Sequence, residues 1–200
     1  MGEKMKIYLQ LGLILLAFCL VATALLAYVN TITKPQIDII KTLEAEETRR
    51  TLIPDSDFEE ITSDITYYIA KDNKTKEVKG YVFTAEKNGY NGPVKTMVAV
   101  DNNFQIIAIK VTDQSETPGL GSNSTQPKFS EQFKGKTSEQ LIVDKDGGVP
   151  PNCIKAITGA TITTRAVVNS VKESIELLKA KVQENSTSSE ETKVKEEVNK

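Results

Sequence analysis

The chain has 200 residues, with 25 Lys and Arg against 27 Asp and Glu and a formal net charge of −2. Without a basic surplus it does not read as a general nucleic-acid binder. It has no histidine and two cysteines, Cys19 and Cys153, which excludes imidazole base catalysis, His-ligated zinc or haem, four-Cys iron–sulfur clusters and a disulfide framework.

The first element is the uncharged run "IYLQLGLILLAFCLVATALLAYV", Ile7 to Val29. As a helix it is about 35 Å long, enough to cross a bilayer. Ala22-Thr23-Ala24 also matches a signal-peptidase pattern, and Cys19 raises a lipoprotein reading. The apolar run continues past the small-residue site, which favours a retained anchor. Lys4 and Lys6 before the span nearly balance Lys34 and Lys41 after it, so charge alone leaves the orientation open. A short stub held inside, with the domain exported, is the expected arrangement. "PQIDIIKTLEAEETRRTL" follows and predicts an amphipathic helix that opens at Pro35 and is ended by Pro54.

Four strand-like runs come next: "ITYYIAKD" from Ile65, "VKGYVFTAE" from Val78, "PVKTMVAVD" from Pro93 and "FQIIAIKVTD" from Phe104. Turn-rich stretches separate them and predict an antiparallel meander. The long connection "QSETPGLGSNSTQP" has the length of a functional loop. "KFSEQFKGK" predicts a short helix and "EQLIVDKDGGVP" a hairpin. The last helix is expected from about Thr163 to Val182, with Val168, Val171, Ile175, Leu178 and Val182 on one face. The expected organisation is a stub at 1–6, a transmembrane helix at 7–29 and a membrane-proximal helix at 30–54. A domain at 55–182 and a disordered polar tail at 183–200 complete it.

Two stretches carry candidate chemistry. "ITGATITT", Ile157 to Thr164, sets four hydroxyls, a glycine and an alanine at a helix start. Helix N-termini attract anions, Gly159 and Ala160 permit close approach, and Arg165 adds positive charge, so a phosphate site is plausible. An ordinary N-cap with β-branched filler explains the same residues. In "SETPGLG", Ser115 to Gly121, Pro118-Gly119 reads as the centre of a type II turn, and Gly121 permits a second unusual dihedral. A tight surface loop is the plain alternative. Tyr67, Tyr68, Tyr81 and Tyr90 read as half-buried packing residues, Tyr90 only shaping its loop. Cys153 reads as a small packing residue.

Together with "NGYNGPV", Asn88 to Val94, these motifs resemble the G subunit of the Rnf complex, a membrane-bound, ion-pumping ferredoxin:NAD oxidoreductase. They are also similar to the C subunit of the sodium-pumping NADH:quinone reductase. The resemblance covers nearly all of the chain except the polar tail. It implies an α+β fold: a single N-terminal transmembrane helix, then an FMN-binding domain with an antiparallel sheet and packed helices. It further implies FMN joined covalently through a phosphoester to Thr161, by a magnesium-dependent flavin transferase that uses FAD. Thr158, Gly159, Ala160, Ile162, Thr163 and Thr164 would surround the attachment, and Glu116, Thr117, Gly119 and Leu120 would contact the flavin. No catalytic residue and no metal ligand is assigned. Lys155 departs from the family, which commonly has an acidic residue three positions before the motif.

The function so implied is an electron carrier in the cell membrane, with its flavin domain on the extracytoplasmic side. Other membrane and iron–sulfur subunits of the complex would be its partners, since this chain has no dinucleotide fingerprint and no cluster ligands. The alternatives are a stand-alone anchored extracytoplasmic flavoprotein and a non-redox, membrane-anchored binding module.

Overall fold

A computed structural model describes residues 2–62, 65–149 and 153–198. It divides into two compact units, 1–46 and 47–200. The first is made by helix α1 (Gly2–Leu52), whose apolar residues from Ile7 to Val29 are exposed along the whole run. Within that run the Thr23 hydroxyl donates to the Cys19 carbonyl at 2.6 Å, so its polar group is satisfied inside the helix. Pro35 lies within α1 rather than starting a second helix. The missing amide costs one hydrogen bond, and the good helix formers on both sides carry the helix on.

The second unit is built on a five-stranded antiparallel sheet in sequence order. Its strands are β1 (Ser56–Thr62), β2 (Thr66–Asp72), β3 (Val78–Asn88), β4 (Pro93–Val100) and β5 (Ile106–Asp113). The last four are the expected runs. Strand β1 is an addition to them: "SDFEEIT" carries three acids in seven residues and lacks clean alternation. It is an edge strand, paired only with β2, and an edge tolerates that composition.

Register places Tyr67 opposite Phe83, Phe83 opposite Val98, and Val98 opposite Ile109. This row lies in the main core, with Val167, Val168, Val171, Ile175 and Leu178 of helix α3 (Thr161–Val198) in the same cluster. The other face also buries residues, among them Ala70, Val82, Met97 and Ala99. Over that face Arg49 sits 4.1 Å from the centre of the Tyr68 ring, and Lys110 donates to the Thr48 hydroxyl at 3.4 Å. The last turn of α1 thus belongs to the folded domain. Close packing is strictest at Gly80, where a Cβ would lie 2.1 Å from the Val100 carbonyl oxygen.

At the β2–β3 turn, Asp72 accepts the amides of Lys74 (2.7 Å) and Thr75 (3.0 Å) and pairs with Lys79 at 2.7 Å. Lys79 first, then the two amides, holds its carboxyl far below the usual carboxylate range. A depressed folded-state pKa stabilises above the unfolded value of 3.8 and is lost as pH falls below it. Urea unfolding of Asp72→Asn beside the wild type should show a deficit at pH 6 that narrows steadily below pH 4.

After β5, α2 (Pro127–Ser130) and a 3₁₀ turn at Glu131–Phe133 form the expected short helix. Phe129 and Phe133 are buried and pack edge-to-face at 5.4 Å. The expected hairpin at 139–150 is not found among the described residues, and Pro150 lies outside them. Thr137 and Gln140 close a capping box that starts a 3₁₀ turn at Ser138–Gln140, and among the described residues a single parallel bridge, Val143 to Ile154, follows. Helix α3 begins at Thr161, two residues earlier than expected, and its backbone continues to Val198 through residues that read as a polar tail. No Gly or Pro occurs after Gly159, which leaves nothing to break it.

Candidate functional site

Three segments far apart in sequence meet at the start of α3, and Glu116 joins them. Its side chain is 6% exposed. One carboxylate oxygen accepts the Thr163 hydroxyl at 2.7 Å, and the other accepts the Asn91 amide at 3.0 Å. Asn91 also donates through Nδ2 to the Ser115 carbonyl at 2.7 Å. The β3–β4 loop, the loop after β5 and the first turn of α3 are thereby tied to one carboxylate. An acceptor at a helix N-terminus is favoured by the amides and dipole there.

Glycine serves this joint in two ways. Gly119 takes φ +77°, and Leu120 N–H donates to the Thr117 carbonyl at 3.1 Å, which is the expected type II turn. Gly121 has no positive φ. A Cβ there would lie 2.6 Å from the Glu116 carboxylate and 2.7 Å from the Thr163 hydroxyl, so close packing and not an unusual dihedral requires it.

The four threonines divide cleanly. Thr164 Oγ1 accepts the Ile157 amide at 3.1 Å and donates to the Ala160 carbonyl at 3.0 Å. Thr163 is held by Glu116. Among the described residues, the hydroxyls of Thr158 and Thr161 have no hydrogen-bond partner. Gly159 takes φ +75° in the turn closed by Ala160 N–H on the Ile157 carbonyl, 2.9 Å. The first bond of α3 runs from Thr164 N–H to Ala160 O, leaving the amides of Thr161, Ile162 and Thr163 ahead of it.

A cavity of about 570 Å³ opens at this helix start. Glu116, Thr117, Leu120, Gly159, Ala160, Thr161, Ile162 and Thr163 line it, and Tyr90 and Gly121 complete the wall. A neighbouring cavity of about 510 Å³ shares Leu120, and Gly119 and Thr158 line it. Of the residues expected at the site, only Thr164 faces neither cavity, since it is fully buried under the turn. Tyr90 reads in the sequence as a loop former, yet it stands 72% exposed on the cavity wall. A tyrosine in a Gly-Asn-Gly-rich turn has no core to pack into, and that is the signal the sequence offers.

Arg165 does not supply the positive charge expected of it. Its guanidinium grips Asp146 through Nε at 2.9 and 3.1 Å and Nη2 at 2.5 Å. That pairing raises the arginine pKa and holds Asp146 below the usual carboxylate range.

An electrophilic or anionic group can thus meet one free hydroxyl, Thr161, at an open helix N-terminus, with apolar Leu120, Ile162 and Tyr90 around it. Comparison with known proteins gives the family to which the domain belongs. Residues 89–176, which contain the whole site, match the FMN-binding domain family. Residues 1–50 match the RnfG N-terminal region. The chain is a membrane-anchored protein with an FMN-binding domain.

The chain is 38% identical over 160 residues to the G subunit of the proton-translocating ferredoxin:NAD(+) oxidoreductase complex of Clostridium ljungdahlii, covering 79% of this chain and 84% of that one. It is 33% identical over 196 residues to the G subunit of the Na(+)-translocating complex of Acetobacterium woodii, covering 86% and 92%. A crystal structure of the C subunit of a Na(+)-translocating NADH-quinone reductase, from Parabacteroides distasonis, aligns at 27% identity and a TM-score of 0.47, over 56% of this chain and 59% of that one. The chain belongs to the RnfG family, the G subunits of ion-translocating (Rnf) oxidoreductase complexes.

Proposed function

We propose that this protein carries electrons within an ion-translocating ferredoxin:NAD oxidoreductase complex, on FMN joined through a phosphoester to Thr161. The observation that carries the reading is the free Thr161 hydroxyl at the mouth of the 570 Å³ cavity, beside two threonines whose hydroxyls are already engaged. The residues fit the group. Unpaired amides at the start of α3 suit a phosphate, and Leu120, Ile162 and Tyr90 offer apolar contact to a flat ring. When bound, the flavin supplies the electron chemistry, and the protein supplies position and electrostatics.

Each residue has a definite task in this reading. Thr161 Oγ bonds to the phosphorus and gives up its proton when a flavin transferase delivers the FMN half of FAD and AMP departs. Gly159 holds the turn that presents Thr161, and Glu116 fixes the first turn of α3 against both loops. The anchor keeps the domain at the membrane, on the extracytoplasmic side. The partners are the membrane and iron–sulfur subunits of the same complex.

The test is an absorbance spectrum and an intact mass of the full chain, purified in detergent after co-expression with a flavin transferase. A yellow protein that keeps its flavin after acid denaturation, and gains the mass of FMN less water, is expected. A colourless protein of unmodified mass would overturn the reading.

A further inference from the structure

The second cavity has a wall that the flavin attachment does not explain. Lys128, from α2, and Lys155, from the segment before the Thr158 turn, both line it. Neither ammonium group has a carboxylate or hydrogen-bond partner among the described residues. This is unlike Lys71, Lys76, Lys79, Lys87 and Lys95, each of which is paired with an acid.

The other polar groups around this cavity are largely engaged as acceptors. Gln132 Oε1 accepts the Lys155 amide at 2.7 Å, and Asn123 Oδ1 accepts Gln126 Nε2 at 2.9 Å. The adjacent Asp144 accepts the Ala156 amide at 3.0 Å and lies outside the lining. Glu116, on the first cavity, is held by Thr163 and Asn91. The wall of the second cavity therefore has two cations and no carboxylate.

We propose that Lys128 and Lys155 raise the reduction potential of the flavin held here, by stabilising the negative charge it gains on reduction. The inference rests on the proposed function. Two electrons and one proton enter the ring on full reduction, so it gains one negative charge. The two cavities adjoin at Leu120, and a ring that reaches past Leu120 into the second has Lys128 and Lys155 on its wall. Their attraction for that charge lowers the free energy of the reduced form. Because both lysines are exposed, salt weakens the effect.

The experiment is a dye-mediated dithionite titration of the flavin-loaded full chain in detergent, at low and high salt. Wild type, Lys128→Gln, Lys155→Gln, the double variant, Lys155→Arg and the remote Lys74→Gln are compared. The double variant should shift the ratio of reduced to oxidised flavin about tenfold toward oxidised, a fall of about 30 mV for a two-electron couple. Single variants should fall between, and Lys155→Arg and Lys74→Gln should match the wild type. The gap between wild type and double variant should close at high salt.

Coincident potentials for wild type and double variant at low salt would overturn the proposal while leaving the flavin site intact. If the double variant loads no flavin, the single variants and the wild-type salt series decide: potentials that shift with neither charge nor salt overturn it. A wild type without flavin overturns this inference and the proposed function together, so the two failures are told apart by colour alone.

Discussion

Thr161→Ala abolishes the covalent flavin: after co-expression with a flavin transferase, the variant has the mass of the unmodified chain and loses its yellow colour on acid denaturation. The expectation follows from the inventory of hydroxyls. Thr163 and Thr164 are 1% and 0% exposed, and both are engaged in hydrogen bonds that hold the turn. Thr158 is free but lines the second cavity, away from the first turn of α3. Among the described residues, only Thr161 combines a free hydroxyl with the open helix N-terminus. Thr161→Ser keeps an oxygen and should retain the adduct, whereas Thr158→Ala should leave it unchanged. An adduct on Thr161→Ala, mapped by peptide mass to Thr158, would overturn the assignment of the acceptor.

Glu116→Ala should have the largest effect on stability. It removes two hydrogen bonds to a buried carboxylate and leaves the Thr163 hydroxyl and the Asn91 amide without an acceptor. Hydrogen bonds to charged groups contribute about 1.5–3 kcal/mol each, and the orphaned donors add their own penalty. A loss of about 4 kcal/mol, or about 10 °C in Tm for a chain of this size, is expected. Glu116→Gln keeps one acceptor and should fall roughly midway. The measurement is thermal unfolding of the unloaded full chain followed by circular dichroism. A Glu116→Ala protein as stable as the wild type would mean that the carboxylate does not hold the three segments together. Flavin loading of the alanine variant should fall as well, because the first turn of α3 loses its anchor to both loops.

The sheet is legible where the alternation is clean. Strands β2 to β5 follow from β-branched and aromatic residues on alternate positions, bounded by Asn- and Gly-rich turns. Strand β1 is hidden because Asp57, Glu59 and Glu60 mask its period, and its pairing is settled by β2 and not by its own propensity. The docking of the α1 terminus is equally hidden. Arg49, Thr48 and Lys110 look like surface residues until the sheet brings them together.

At the site, the threonine cluster and the Pro-Gly turn are visible in the sequence, but the division of labour within them is not. Which hydroxyl is engaged depends on Glu116, 47 residues before Thr163. Arg165 looks available to a phosphate because Asp146 lies 19 residues away, beyond any local pattern. Gly121 looks like a conformational glycine, and only the crowding by Glu116 and Thr163 shows that it is a spatial one. The helix start is readable; its electrostatic surroundings are a tertiary property.

The strand order has a bearing on when the site can exist. Each strand pairs with its predecessor, so the sheet can close through short loops, at low entropic cost and early. The cavity needs contacts across 25 and 47 residues, from Asn91 to Glu116 and from Glu116 to Thr163. Its walls come together only when the first turn of α3 has docked, the step with the longest loop to close. A nascent or misfolded chain therefore presents Thr161 as an ordinary hydroxyl among many, with no pocket around it. On the proposed function, cofactor attachment would be a late event that marks completed chains, and the fraction modified would read out the yield of folding as well as the supply of flavin.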